Sequence, residues 1–401
     1  MTELGFKIFD GDSHLYEQDD AFSRYMPVKY RESGVRIVVD EHGHTQLFAG
    51  KRRMTITDST GERNGMVPRP GSLKEFLRKT RSAEGASGSD IWVPMQPEFR
   101  YRDERIKALD AQHVEASIVF PGYAITAEPF IDDVDVLYAQ LHAYNEWLDE
   151  EWGFNYQDRI YAPALITLRD LDRSIKELDW LIDRGIRMVM PLTGPFNHRS
   201  PADTYFDPFW ARMNEAGVVL TYHTSEAIYT QEVSRQWGED VLQPRHEQTA
   251  WQWMNTYGER PIMDTLSSLV FWNIFERFPR LNVIAVEFGA EWLPHFLSKM
   301  DKSRGMGRNG PWPGGPLKAR PSEIFAEHGS VVPFPEDDVE EIVRQVGPKA
   351  LDILVMGSDF PHAEGVAEPS LLAKRLESFS PSDMRRMMYD NGRKLLPAST
   401  N

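Results

Sequence analysis

Lys7-Ile8-Phe9-Asp10-Gly11-Asp12-Ser13-His14 holds the first apolar run of the chain, and the run ends in Asp12-Ser13-His14. An open doubly wound sheet usually carries a Gly-rich phosphate turn at that point, so the ending argues against it. Seven further runs of strand length follow: Ala116–Pro121, Tyr161–Ile166, Arg187–Leu192, Val218–His223, Asn282–Glu287, Ser330–Phe334 and Ile353–Ser358. Several segments between them place apolar residues every three or four positions, as in Val134–Glu151, Leu171–Arg184 and Pro261–Arg277, and predict an outer ring of helices. Eight strands alternating with helices predict a parallel sheet closed into a (β/α)8 TIM barrel. The interval from Asp12 to Ala116 is too long for an ordinary connection and contains a hairpin-like stretch, Val35–Phe48, with Glu41-His42-Gly43-His44 at its turn. The expectation is one domain over residues 1–401, with a cap region inserted at 30–100. A further long excursion, Ser225–Tyr257, follows the fifth strand, and the Gly- and Pro-rich Arg304–Pro321 is read as a loop.

The 401 residues are 41% hydrophobic and 26% charged, enough apolar material to fill a closed sheet and its helical ring. A formal charge of -16 sets up a mean field that repels phosphate backbones, so no nucleic-acid partner is expected. The best basic stretch, Lys74–Arg81, is short and reads as a solvated helix face. Without a single cysteine, disulfides, thiolate ligands and cysteine nucleophiles are excluded, and any metal must be held by nitrogen and oxygen. Met1–Asp12 contains no long apolar run, and no membrane-length apolar run follows, so the expected protein is cytoplasmic with no membrane partner.

In barrels, function sits where strands end. Those termini carry Asp12 and His14 on strand one, His223 on strand five, Glu287 on strand six and Asp359 on strand eight, with His362 and Glu364 just beyond. Asp12 and His14 are two apart on extended chain and so share a face, which suits a pair of metal ligands. A lone histidine is more often a hydrogen-bonded core residue, but four strand ends with the same chemistry argue for a site.

The segments Phe9-Asp10-Gly11-Asp12-Ser13-His14, Phe275-Glu276-Arg277-Phe278-Pro279-Arg280-Leu281 and Gly357-Ser358-Asp359-Phe360-Pro361-His362 resemble the amidohydrolase-related family of metal-dependent hydrolases and nonoxidative decarboxylases. The resemblance spans nearly the whole chain, with residues 35–96 least covered. It implies that Asp12, His14, His223 and Asp359 occupy the family's metal positions, Asp359 acting as ligand or as the catalytic base. Two departures stand out: Asp12 replaces the first histidine of a His-x-His pair, and Glu287 replaces a histidine after strand six. Both put anionic oxygen in place of nitrogen and suit a harder centre than a lone zinc. No lysine stands on strand four to bridge two ions.

In the run Glu287-Phe288-Gly289-Ala290-Glu291-Trp292-Leu293-Pro294-His295, a helix beginning near Ala290 would put Glu291 and His295 on one face. With them the candidate donors exceed what one tetrahedral zinc uses. On that basis the chain resembles a branch of the family with a nonheme di-iron centre: two iron ions held by His14, His223, Glu287, Glu291, His295 and Asp359, with Asp12 assisting, would hydroxylate a bulky terpenoid or polycyclic acid, or its coenzyme A thioester, in secondary metabolism. Such a monooxygenase requires an external electron donor, since no flavin or nicotinamide fingerprint is present. Trp237, Trp251, Trp253, Trp272 and Trp292, with Tyr257 and His362, are expected to line its pocket, and Arg52, Arg53, Arg69 and Lys74 to meet carrier phosphates. The alternative is a mononuclear zinc or other divalent-metal hydrolase or decarboxylase in which Asp359 moves protons. It leaves Glu291 and His295 without a task. A barrel acting only as a scaffold is a third reading, disfavoured by so many strand-end donors, and the aromatic content leaves room for a homo-oligomer interface.

Overall fold

The computed structural model describes residues 4–41, 43–54, 65–80, 91–225, 227–239 and 248–398. The first barrel strand, Ile8–His14, runs parallel to the second, Val114–Phe120. The third position is split, with Ile160–Tyr161 paired to the second strand and Ala164–Leu165 to the fourth, Met188–Met190. The fifth, Val219–His223, the sixth, Val283–Val286, and the seventh, Gly329–Val331, continue the parallel ladder. The eighth position is extended chain, residues 354–360, bridging Leu354 to Val331 on one side and Phe360 to Ser13 on the other. There Val355 N–H donates to Val331 O at 3.0 Å and Gly11 N–H to Met356 O at 2.9 Å. These bonds close the (β/α)8 barrel. The sixth strand, Val-Ile-Ala-Val, is buried throughout, as a strand covered on both faces must be.

The helix Val134–Glu151 matches its expected bounds. Asp133 accepts from Asp135 and Val136 N–H at its start, and Leu137, Leu141, Tyr144 and Leu148 form its buried stripe. The expected helix Pro261–Arg277 is instead two, Glu259–Phe271 and Ile274–Arg277, because Asn273 between them takes a left-handed φ of 56°. The seventh and eighth strands were also placed imperfectly. The seventh occupies Gly329–Val331, while Ala350–Ile353 is a helical turn rather than the start of the eighth.

Within the long first connection, Val35–Val39, Thr45–Ala49 and Arg52–Arg53 form an antiparallel meander, and Met66–Pro68 pairs with Trp92–Pro94. The chain beyond Pro68 reaches the barrel mouth, where Gly71 N–H donates to His362 O at 3.1 Å and Leu73 N–H to Ala363 O at 2.9 Å. His42 and Arg81, named above, lie outside the described residues. The excursion Arg304–Pro321 is less loop than expected: Arg304 to Met306 complete the helix Leu293–Met306, and Pro321 opens the helix Pro321–His328. Among the described residues no helix is long and apolar enough to cross a membrane.

Candidate metal centre

Strand register assembles the site. His223 pairs with Val286, which sets His223 beside Glu287, and Ser13 bridges to Phe360, which sets His14 beside Asp359 and His362. Ser13 turns away, its hydroxyl 2.8 Å from Ser117 Oγ and donating to Ile118 O, so its neighbours Asp12 and His14 face the other way. Gly357 permits the approach of the first and eighth positions, since a Cβ there would lie 2.5 Å from Asp12 Cβ. Glu287 and Asp359 both adopt left-handed backbone, with φ of 61° and 54°. That conformation costs a non-glycine residue on the order of 1–3 kcal/mol and collects at functional sites.

The side chains converge on Nε2 of the two histidines. His14 Nε2 and His223 Nε2 lie 3.1 Å apart. Glu287 Oε2 is 2.9 Å from His223 Nε2, and Asp12 Oδ1 and Asp359 Oδ1 are each 3.5 Å from His14 Nε2. Each histidine is oriented from behind: His14 Nδ1 is 3.2 Å from Pro121 O and His223 Nδ1 is 3.0 Å from Thr224 O. A carbonyl only accepts, so Nδ1 carries the proton in both rings and the Nε2 lone pairs point inward, the arrangement of metal-ligating imidazoles. Beneath them the wholly buried Arg105 donates to His14 O at 2.5 Å and to Glu98 O at 2.7 Å.

Two imidazoles and three carboxylates thus face one another. Burial, then the neighbouring Asp359, pushes the Asp12 carboxyl well above the usual carboxylate range, and burial followed by Glu287 does the same to Asp359. Burial, then His362 and His223, holds His14 well below the usual imidazole range. For His223, burial acts downward but Glu287 and Asp12 outweigh it and raise the pKa. Asp12 Oδ1 is buried without a hydrogen-bond donor. Buried charges of one sign cost several kcal/mol each unless compensated. A divalent cation compensates them, and the nitrogen and oxygen donors fit one. Asp12, His14 and His223 each offer a ligand atom within 4.8 Å of the others, as do His14, Asp359 and His362, and Glu287, Asp359 and Glu364.

Above the cluster is a cavity of about 60 Å³ whose walls include Tyr16, Pro68, Tyr123, Ile125, Ala363 and Glu364. His362 is half-buried there, its Nδ1 2.8 Å from Asp359 Oδ1 and its ring stacked on His14 at 4.0 Å. Glu17, absent from the expected set, organises the rim: its Oε1 accepts from Tyr123 N–H at 2.8 Å and Ala124 N–H at 3.0 Å. Asp10, likewise unforeseen, accepts from Ser358 N–H at 2.8 Å and Ser358 Oγ–H at 2.6 Å. The Asp10, Asp12, His14 alternation was the available signal for it.

Several expectations fail. Glu291 and His295 are exposed and belong to none of the donor groups. The helix begins at Leu293, not Ala290, which leaves Glu291 in the preceding turn and dissolves the shared helical face. Nor do the tryptophans line the cavity. Trp237 and Trp253 are 71% and 45% exposed, Trp251 lies tilted against Trp237 with ring centroids 5.6 Å apart, Trp272 packs against the core, and Trp292 donates its indole N–H to Gly289 O. Arg52 pairs with Asp132 at 3.0 Å and Arg69 with Glu75 at 2.8 Å, so both guanidinium groups already have carboxylate partners; Lys74 is exposed.

Residues 39–398 match the sequence pattern of the family described as Amidohydrolase. No curated protein matches the chain. Among solved structures, an amidohydrolase from Mycobacterium avium subsp. paratuberculosis K-10 is similar at 28% identity, with a TM-score of 0.83 and coverage of 99% of both chains. The 5-carboxyvanillate decarboxylase of Sphingomonas paucimobilis shares 14% identity at a TM-score of 0.61, covering 98% of this chain and 100% of that one. A dihydroxybenzoic acid decarboxylase from Polaromonas sp. JS666, with bound manganese and 2-nitroresorcinol, shares 14% at 0.58, covering 98% and 97%. At that identity the two decarboxylases share the fold.

Proposed function

The chain belongs to the amidohydrolase family, and from that premise we propose that it is a mononuclear, divalent-metal-dependent enzyme that cleaves a small carboxylated substrate without dioxygen, by hydrolysis or decarboxylation. The observation that carries this reading is the knot of buried His14, His223, Asp12 and Asp359 with half-buried Glu287, from which Glu291 and His295 are absent. The ligand pair that would have distinguished a di-iron oxygenase is missing from the cluster. Among the described residues the three donor groups overlap, the first and second through His14 and the second and third through Asp359. A manganese-containing decarboxylase on the same scaffold supports the reading.

His14, His223 and Asp12 would hold the ion, with Glu287 and Asp359 as further oxygen donors. When bound, a divalent ion supplies Lewis acidity and lowers the pKa of water. The protein's own groups do the rest. Asp359 holds or releases a proton at Oδ1, and His362 Nδ1, 2.8 Å away, relays it to the cavity it lines. Tyr16, Tyr123, Ile125 and Pro68 bind the apolar part of the substrate and exclude bulk water. The test is an anaerobic assay of manganese-reconstituted enzyme on a panel of small carboxylic acids, esters and amides, following released carbon dioxide and hydrolysis products. Turnover without oxygen, abolished in His14→Ala and Asp359→Asn but retained in Glu291→Ala and His295→Ala, is expected. An absolute requirement for dioxygen overturns the proposal.

A further inference from the structure

A second cavity, about 550 Å³ and open to solvent, lies between the end of the helix Leu293–Met306 and the start of the helix Pro321–His328. It is far larger than the cavity over the metal cluster and within the size range of small-molecule sites. Its wall carries Arg304, Arg308 and Arg320 together with Trp312. Among the described residues no carboxylate lies within ion-pair distance of these three guanidinium groups. Arg304 donates to Leu317 O at 2.9 Å and Arg308 to Gly305 O at 3.1 Å, both backbone acceptors. The one acid in the wall, Asp301, is committed elsewhere, accepting from Ser322 N–H at 3.0 Å and Ser322 Oγ–H at 2.8 Å.

The chain carries a net charge of -16, and elsewhere on its surface Arg24, Arg159, Arg212 and Arg344 each pair with an acid. Three unpaired arginines in one groove make a local positive field against a negative background, reinforced by the amino-terminal end of the helix Pro321–His328. Guanidinium forks suit phosphate oxygens, and an indole wall suits a planar ring. Trp312 is itself braced by Phe271, with ring centroids 6.3 Å apart.

We infer that this groove binds a nucleoside phosphate, its phosphates held by Arg304, Arg308 and Arg320 and its base against Trp312. The ligand would sit apart from the catalytic cluster. The helix leading from the sixth strand end to the groove has 14 residues, which at 1.5 Å per residue is roughly 20 Å.

The test is calorimetric titration of the full-length, metal-loaded protein with ADP and, separately, with inorganic phosphate. ADP should bind, and more tightly than phosphate. Arg308→Ala and Arg320→Ala, both at exposed positions, should each weaken ADP at least tenfold. Trp312→Ala should weaken ADP but not phosphate, with thermal melting as the check on folding. His223→Ala should leave ADP binding unchanged. The inference is overturned if millimolar ADP does not bind, if it binds no better than phosphate, if the double variant Arg308→Ala/Arg320→Ala binds it normally, or if His223→Ala abolishes binding and so places ADP on the catalytic metal.

Discussion

Asp10 is buried beneath the cluster, and its carboxylate ties the first strand to Ser358, the residue before Asp359. Burial pushes its pKa from 3.8 up to about 6 against the lowering effect of the Ser358 hydrogen bonds. A folded state that binds the proton more tightly than the unfolded one loses stability as pH rises. Relative to Asp10→Asn, the metal-free protein should therefore lose roughly 3 kcal/mol between about pH 4 and 6 and then level off, as read by urea unfolding at each pH. A difference that does not vary with pH contradicts the assignment. At the same scale, His14→Ala and His223→Ala should each weaken metal binding at least tenfold in a chelator competition, whereas Glu291→Ala should not. Asp12, His14, His223, Glu287 and Asp359 were legible because strand ends in a barrel must converge. Arg105 and Glu17 were not, because their partners, His14 O and the Tyr123 and Ala124 N–H groups, are backbone atoms that no residue pattern announces.

The elements show where periodicity runs out. Apolar spacing continues through Trp272 into Ile274, yet the helix breaks at Asn273, whose left-handed backbone is permitted to asparagine and whose side chain donates to Gly314 O at 3.3 Å. The run after the sixth strand was misjudged for a similar local reason: Gly289 is left-handed, with φ of 64°, and the helix waits for Leu293 with Pro294 in its first turn. That shift of three residues removes Glu291 and His295 from the site. Conversely, the junction of the first and eighth positions is fixed by a glycine. Gly357→Ala brings a Cβ to 2.5 Å from Asp12 Cβ and 2.9 Å from Asp12 N. The clash should cost about 1–3 kcal/mol in thermal or urea unfolding and loosen metal binding as Asp12 shifts. Unchanged metal affinity would show that Asp12 is not a ligand.

Across the whole molecule, the barrel was readable because eight apolar runs alternate with helical segments, and its closure follows from the pairing of residues 354–360 with both Val331 and Ser13. The cavity's contents were not readable. Tryptophan composition says nothing of which side of a helix faces the mouth, and here Trp237 and Trp253 face solvent. A folded barrel whose centre gathers Asp12, Glu287 and Asp359 around His14 and His223 should gain stability from the ion it binds. At a free metal concentration about 100 times Kd the gain is about 2.7 kcal/mol, visible as a rise in Tm over the chelator-treated protein at neutral pH.

The most direct test of a single-metal centre is the metal content of the purified protein, grown with iron, zinc and manganese supplied and measured by inductively coupled plasma mass spectrometry. Close to one divalent ion per chain, lost in His14→Ala and kept in Glu291→Ala/His295→Ala, is the predicted result. Two irons per chain that fall when Glu291 and His295 are replaced, or no bound metal at all, would contradict it.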